Sequence, residues 1–329
     1  MDDTGERDPA QAFGPDRQPD FRHFYNHTIH PELMRMEKKR RRMMMLIFIC
    51  GLLLAGVVVL QGWLGILALS LSLLIPIGFY MAYLIYLGNK QRLAFKPKII
   101  RLVLDFIDDA LGFDDLTYEA QRKIPLGDFL ASRLFDVQPA IYEGEDFIAG
   151  WAGDVQFELC ELRVESNSRI RERLEEDFKG IFMHCLHPAP LEGELLVLPK
   201  NVRADASQAI RNFTFSGGRN ADALISNTDF LRYFTVYTST GVSREQHNTL
   251  VRRFLPGKIQ GEMVRHVAGN GQGPFFFLFC EGHFFCFIQP HDILEPPVFQ
   301  SVVSFDLIME FYQDIYRVLR IIQTFDRYF

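Results

Sequence analysis

An uncharged apolar segment, from Met43 to Gly88, dominates the pattern of hydrophobic and polar positions along the chain. A single helix over this segment would be about 70 Å long, more than twice the hydrocarbon thickness of a bilayer. A glutamine, a glycine and a tryptophan meet at 61–63, and we place the break between two helices there. The pattern therefore predicts a transmembrane hairpin with spans at about 43–60 and 64–87.

Basic residues flank both ends of this segment, whereas its connector carries no charge. Lysines and arginines next to a span are retained on the cytoplasmic side, so we expect both termini in the cytoplasm. A hairpin that dips into the inner leaflet without crossing would explain the short connector equally well, and this alternative stays open. The flanking residues are Lys38, Lys39, Arg40, Arg41 and Arg42 before the hairpin, and Lys90, Arg92, Lys96 and Lys98 after it.

Two regions precede the hairpin. Residues 1–19 are charged and rich in proline and glycine, with too little apolar surface for a core, and we predict a disordered tail. Residues 20–42 are predicted to form a basic juxtamembrane helix.

A helical linker is predicted at 89–140, after the hairpin. Apolar positions repeat every three or four residues from Ile99 to Leu111, which is typical of an amphipathic helix. Its aspartates would be repelled by anionic lipid, so we expect it to pack on the following domain rather than on the membrane. Further helical pieces are predicted at Leu116–Arg122 and Leu126–Phe135.

Strand-like segments begin after Pro139, and residues 141–329 are predicted to form one cytoplasmic α+β domain. Two helices are expected at about 243–254 and 258–267, and an amphipathic helix at 304–325 ends the domain. About seven strands closed by such a helix resemble the pleckstrin-homology-like superfold, an analogy of fold alone. The predicted strands lie at 141–153, 155–165, 178–187, 194–201, 234–240, 274–280 and 283–289.

The charge and the cysteine content of the chain exclude some classes of function. The net charge of -6 argues against a general nucleic-acid binder, because such a protein replaces the counterions of phosphates with its own basic side chains. The basic residues cluster beside the hairpin, where anionic lipid accounts for them. Five scattered cysteines without a CxxC pair are typical of reduced thiols in the cytoplasm.

Four stretches together resemble a bacterial family catalogued as domain of unknown function 3137. They are Tyr142–Gly150, Phe178–Phe182, Asp229–Tyr237 and Phe284–Ile288. The resemblance implies two transmembrane helices, a cytoplasmic α+β domain and a place in the bacterial inner membrane. It brings no active site with it. Some members are encoded near LemA-like membrane proteins, so the resemblance implies a partner of that kind.

The segment His184-Cys185-Leu186-His187 is the most reactive-looking group of the domain. On a strand, Cys185 and His187 share one face while His184 points to the other. A thiolate nucleophile needs a base and an orienting group, which adjacent strand positions rarely supply. A half-buried structural strand is therefore our interpretation. The acidic residues Glu143, Glu145, Asp146, Glu158, Glu161 and Glu165 could form a cation or acid–base site, but they are more typical of a solvated strand face.

Two further sequence patterns give weaker evidence for a binding site. His23, His27 and His30 recur on one helical face, but Pro31 interrupts the series and neither a carboxylate nor a cysteine completes a metal site. The glycines of GNGQGP at 269–274 precede a phenylalanine-rich strand instead of a helix, so the dinucleotide interpretation fails.

The sequence thus predicts no catalytic, cofactor-binding or metal-binding residue and no cofactor. Our leading hypothesis is a membrane-tethered cytoplasmic module that binds another protein or serves as a scaffold, in contact with the lipid bilayer and not with nucleic acid. A membrane-associated enzyme of unknown reaction and a lipid-binding module are the alternatives.

Overall fold

The computed structural model of the chain describes residues 18–64, 67–111, 113–135, 137–167, 173–186, 193–200, 213, 217–239, 244–270, 275–280, 282–288 and 303–326. All but the last two residues of the predicted disordered tail lie outside this part of the chain. Those two begin the first helix.

The N-terminal half is built from long helices. A short helix α1 (Gln18–Phe24) leads through one turn of π-helix (Tyr25–Ile29) into α2 (His30–Leu64), and α3 (Leu67–Leu111) follows. The predicted juxtamembrane helix and the first apolar span are therefore one continuous helix, which extends through the predicted break at 61–63 as far as Leu64.

The second long helix also continues further than the sequence suggested. We expected a new element after Pro97, but both Pro76 and Pro97 lie inside α3. A proline within a helix removes one hydrogen bond without always ending the helix, and α3 tolerates two such losses.

Within the described residues, nine strands form one sheet in the order β1-β2-β3-β4-β9-β8-β5-β7-β6. The neighbours that the structure describes all pair in antiparallel fashion. The α+β class is thus confirmed. The strands are β1 (Asp114–Glu119), β2 (Pro139–Ala152), β3 (Val155–Asn167), β4 (Leu174–Leu186), β5 (Glu194–Pro199), β6 (Arg219–Asn220), β7 (Phe234–Ser239), β8 (Phe275–Cys280) and β9 (His283–Ile288).

The last hairpin, β8–β9, is inserted between β4 and β5. Strands that follow each other in the chain are therefore not neighbours at this point of the sheet. The helices that accompany the sheet are α4 (Leu126–Ala131), α5 (Thr228–Tyr233), α6 (Arg244–Phe254), α7 (Gly257–Asn270) and α8 (Phe305–Asp326).

One prediction within the linker was wrong. The segment Leu116–Arg122, predicted to be helical, contains most of β1, where Tyr118 pairs with Ile148 of β2. Pairing with a long neighbouring strand outweighs the local helical preference of so short a segment. The two-residue β6 and the helix α5 were not predicted either.

The main core lies on one face of the sheet, beneath α4. Phe129 of α4 is fully buried and its ring centroid lies 5.4 Å from that of Phe182 and 6.1 Å from that of Phe287. The opposite face is also buried, with Phe157, Met183 and Phe277 among its residues. Both faces of the central strands are therefore covered, as the uninterrupted phenylalanine runs require.

The chain divides into two compact units. One comprises Met1–Phe106 with Leu294–Glu310, and the other Ile107–Ile293 with Phe311–Phe329. The first contains the paired segments of α2 and α3, and an aromatic cluster in which the ring centroids of Phe21 and Phe106 are 5.2 Å apart. The second contains the whole sheet.

Candidate functional site

The apolar parts of α2 and α3 contact each other along a narrow seam. Met43, Cys50 and Leu84 are buried, and a Cβ added to Gly88 would lie 3.8 Å from the Cε of Met43. Most other large apolar side chains of these segments face outward. They include Phe48, Ile49, Leu52, Leu53, Val58, Val59, Leu60, Trp63, Phe79, Tyr83 and Tyr86, with Trp63 89% and Phe79 75% exposed.

Both helices are long and apolar enough to cross a membrane, by length and composition. An outward apolar surface of this extent is far larger than soluble monomers normally expose. The hairpin is therefore the first functional feature of the molecule, a surface suited to an apolar environment.

Charged residues adjoin the hairpin on α2 and α3. Glu32 of α2 forms an ion pair of 2.5 Å with Lys98 of α3. Glu37 is buried and accepts hydrogen bonds from Arg40 Nε at 2.8 Å and from Arg41 Nε at 2.9 Å. The hydrogen bond from Arg40 is the main reason that the pKa of Glu37 is lowered.

The remaining basic residues beside Glu37 stay at the surface. Lys38, Lys39 and Arg42 are exposed. Together they form a basic collar, by which we mean these three side chains at the start of the apolar segment.

In the sheet domain, two histidines that are far apart in sequence lie side by side. His184 Nε2 on β4 and His283 Nδ1 on β9 are 2.9 Å apart, and the two rings stack with centroids 5.1 Å apart. The ring of His184 also stacks on Phe285, at 4.8 Å. Burial, reinforced by His283, lowers the pKa of His184 to about 4. His184 is therefore neutral at neutral pH.

Acidic side chains surround this histidine pair. Glu158 on β3 is the direct cross-strand partner of His184, and directly opposite residues of an antiparallel pair share a face. Burial raises the pKa of Glu158, while the charge of Arg122 acts in the opposite sense. Asp128 on α4 raises the pKa of both Glu158 and His184.

The predicted group at 184–187 is only partly brought together. His184 and Cys185 alternate on β4 and so point to opposite faces of the sheet, while His187 lies outside the described residues. Cys185 is buried, and burial raises the pKa of its thiol well above its ordinary value. A buried, protonated thiol is a poor nucleophile.

All five cysteines are free and buried. Cys160 accepts a hydrogen bond from the backbone N–H of Ile124 at 3.3 Å, and burial raises its pKa to about 12. Their environment is that of structural thiols.

The predicted acidic residues separate into several groups. Glu145, Asp146 and Glu161 have carboxylate oxygens within 4.8 Å of one another. Asp146 is buried at an irregularity of β2, with a positive φ of 58°, and its Oδ1 accepts a hydrogen bond of 2.5 Å from Tyr118 Oη. Asp146 N–H donates to the carbonyl of Ala120. These bonds connect β2 to the turn after β1, which is a structural role.

Two other acidic residues lie apart from that group. Glu165 is buried and paired with Arg163, whose Nε donates at 2.7 Å. Glu143 is exposed. The solvated face predicted for these carboxylates is thus correct for Glu143 and wrong for Glu165, because a charge-assisted hydrogen bond allows that carboxylate to be buried.

The N-terminal histidines are not gathered into one cluster. The rings of His23 and His27 are 4.3 Å apart, whereas His30 lies against Tyr25 at 5.7 Å. Of the GNGQGP stretch, residues 271–274 lie outside the described residues, and Gly269 belongs to α7.

Both tryptophans of the chain are exposed. Trp63 lies at the end of α2, and Trp151 lies on β2, beside the edge strand β1, with 40% of its surface exposed. Its cross-strand partners are Asp114 and Gln156. Tryptophan is enriched among the residues that contribute most to protein–protein binding, so an exposed tryptophan is a candidate contact residue.

Sequence reasoning missed three of these residues: His283, Asp128 and Trp151. His283 joins His184 only because β9 pairs with β4, a pairing between positions 99 residues apart. The signal that was available is the tight turn at Gly282, which marks His283 as the first residue of the returning strand.

The family model described as "Protein of unknown function (DUF3137)" matches residues 176–327. The predicted resemblance is thus confirmed over this part of the chain, which extends from β4 to the C-terminal helix and includes three of the four resembling stretches. No curated protein and no solved structure matches the chain.

Proposed function

We propose that this protein is an integral protein of the bacterial inner membrane whose hairpin, α2 and α3, tethers a cytoplasmic α+β domain that binds another protein. The observation that carries the proposal is the outward apolar surface on the described parts of α2 and α3.

Transfer of the exposed apolar side chains of α2 and α3 from water into a bilayer is energetically favourable. Moving one large apolar side chain from water into an apolar environment is favourable by roughly 1.5–3 kcal/mol. More than ten such side chains lie exposed on α2 and α3. The sum far exceeds the marginal stability of a folded domain, so a lipid environment is the natural solvent of these helices.

The charges beside the hairpin support its orientation. The basic collar on α2 and Lys98 on α3 lie at the ends of the hairpin that lead to the two termini. Positive residues next to spans are held in the cytoplasm, where they also attract anionic headgroups. This supports a cytoplasmic location for the sheet domain.

Trp151 supports the protein-binding role of the domain. Tryptophan is enriched among the residues that dominate binding energies. At the edge of the sheet, beside β1, it is accessible to a partner. A LemA-like membrane protein is one partner that fits the proposed location.

The test is purification of the tagged full-length protein from its native membrane in mild detergent, at endogenous level, followed by mass spectrometry. We expect a stoichiometric partner that is retained when an unrelated hairpin replaces residues 43–88. The variant Trp151→Ala should lose this partner, whereas Leu174→Ala, which removes another exposed apolar side chain, should retain it. A protein that is purified without any partner, or a partner that Trp151→Ala retains in full, would contradict the proposal.

A membrane-associated enzyme is the second candidate, and the histidine pair beside Glu158 favours it. Histidine and a carboxylate with a raised pKa are the usual participants in proton transfer. Co-purification with a partner that is indifferent to His184→Gln would support the binding module over the enzyme.

A further inference from the structure

The pairing of His184 and His283 resembles one half of a metal site. Their facing nitrogens, Nε2 and Nδ1, are 2.9 Å apart. Zinc binds imidazole nitrogen at about 2.0–2.1 Å, so two corners of its tetrahedron are separated by roughly 3.3 Å. A small opening of the pair would admit the ion between the two nitrogens.

Ring stacking and strand pairing fix the positions of the two imidazoles. His184 stacks on Phe285 and on His283, with interplanar angles of 10° and 21°. Both histidines lie on strands that are hydrogen-bonded to each other, β4 and β9. A rigid scaffold of this kind positions ligands more accurately than loops do.

A candidate third ligand lies on the next strand. Glu158 lies directly opposite His184 on β3, and its flexible side chain can bring a carboxylate oxygen towards the pair by a change of rotamer. Two imidazoles and one carboxylate are a donor set that zinc accepts, with a fourth position left open.

The local charges also favour a cation. The charge of Asp128 acts on both Glu158 and His184, and the charge of Arg122 opposes it at Glu158. A neutral imidazole offers a nitrogen lone pair to a metal ion without adding positive charge.

We propose that His184, His283 and Glu158 bind a divalent transition-metal ion of the zinc type at the junction of β3, β4 and β9. This inference is independent of the proposed tether. It also departs from the expectation drawn from the sequence that the chain has no metal site. The reason for the difference is His283, which the structure brings next to His184.

The experiment uses the full-length protein in detergent, with an affinity tag that contains no histidine, stripped with a chelator and titrated with Co²⁺. Tetrahedral Co²⁺ with nitrogen and oxygen ligands gives a visible absorption that octahedral aqueous Co²⁺ lacks in intensity. We expect one equivalent of Co²⁺ to produce this spectrum and one equivalent of Zn²⁺ to displace it.

Single variants assign the ligands. His184→Gln, His283→Gln and Glu158→Gln should each weaken Co²⁺ affinity by at least about tenfold, since even loss of an outer-shell partner of a ligand costs ~10–100-fold. Circular dichroism of each variant, compared with the parent, shows whether the fold is intact. If one variant fails to fold, the other two decide the outcome.

Two controls separate this site from the other candidates. The double variant His23→Gln/His27→Gln removes the exposed pair on the N-terminal helix, and Glu145→Gln/Glu161→Gln changes the acidic group beside Asp146. Both should leave the spectrum and affinity unchanged. Absence of a tetrahedral spectrum, or full binding by a folded His184→Gln/His283→Gln variant, would overturn the proposal. Unchanged affinity in Glu158→Gln would overturn the assignment of its carboxylate.

Discussion

Gly144 on β2 lies directly opposite Leu162 on β3, so close that a Cβ added to the glycine would come within 2.6 Å of the leucine Cδ2. The same Cβ would lie 2.8 Å from Lys123 Cβ and 2.9 Å from the carbonyl oxygen of Glu161. We expect Gly144→Ala to destabilise the domain by about 1–3 kcal/mol, because a well-packed core does not absorb an extra methyl group. Thermal unfolding in detergent, followed by circular dichroism, measures the change.

Gly127 provides the matched control for this substitution. It lies inside α4, and a Cβ there would have nothing within 4 Å. Gly127→Ala should stabilise the protein by up to about 1 kcal/mol, because alanine is the better helix former. Equal effects of the two substitutions would show that the close approach at Gly144 does not exist.

Phe129 connects α4 to the sheet. It is fully buried, and its ring lies 5.3 Å from that of Phe135, 6.1 Å from that of Phe178 and 5.4 Å from that of Phe182. Phe129→Ala should cost about 3–5 kcal/mol in the free energy of unfolding, through lost burial and the cavity left behind. The adjacent Leu130 is exposed, so Leu130→Ala should stay within about 0.5 kcal/mol of the parent. Denaturant unfolding compares the two, and a small effect of Phe129→Ala would mean that α4 does not cover the core.

Asp177 on β4 makes the stability of the folded protein depend on pH. Its Oδ2 is buried and accepts no hydrogen bond from the described part of the chain, and burial raises the pKa of the carboxyl above 3.8. The folded protein therefore holds this proton more tightly than the unfolded chain. The contribution of this proton to the free energy of unfolding is complete below the unfolded-state pKa of 3.8. It is lost as the pH rises through the higher pKa that Asp177 has in the folded protein.

Asp177→Asn removes that titration. We expect the variant to melt at a higher temperature than the parent at pH 7 and at nearly the same temperature below pH 3.8. Parallel melting curves at several pH values make the comparison. A variant that is less stable than the parent at pH 7 would indicate that the charged carboxylate stabilises the fold.

Tyr118 and Tyr142 allow two hydrogen bonds to be compared. Tyr118 donates to the carboxylate of Asp146 at 2.5 Å, and Tyr142 donates to the carbonyl of Ile124 at 2.8 Å. Bonds to charged groups contribute about 1.5–3 kcal/mol and neutral ones about 0.5–1.5 kcal/mol. Tyr118→Phe should therefore destabilise the protein more than Tyr142→Phe in the same unfolding assay, and the reverse order would contradict this interpretation of Asp146.

The features that local pattern decides were predictable from the sequence. The apolar hairpin, seven of the nine described strands and the amphipathic helix α8 each have a distinctive local pattern of apolar residues, and the structure has them close to the predicted positions. The segment at 116–119 was not predictable in this way, because its strand conformation depends on pairing with β2, which is distant in sequence.

The polar clusters depend even more on long-range pairing. Glu158, His184 and His283 come together only through the register of β3 with β4 and of β4 with β9. No spacing within the sequence encodes that register. The acidic stretch shows the same limit, since the burial of Asp146 follows from the irregularity in β2 and from Tyr118.

A hairpin that crosses the membrane with both termini in the cytoplasm exposes its connector on the opposite side. Chemical labelling of the connector therefore tests the proposed topology most directly. Trp63 is highly exposed at the end of α2, and all five native cysteines are buried. We would label Trp63→Cys in intact spheroplasts with a membrane-impermeant maleimide, using Arg232→Cys in the sheet domain as the matched control. The account predicts that position 63 is labelled before lysis and position 232 only after it. Protection of position 63 until lysis would contradict a spanning hairpin and favour a re-entrant one.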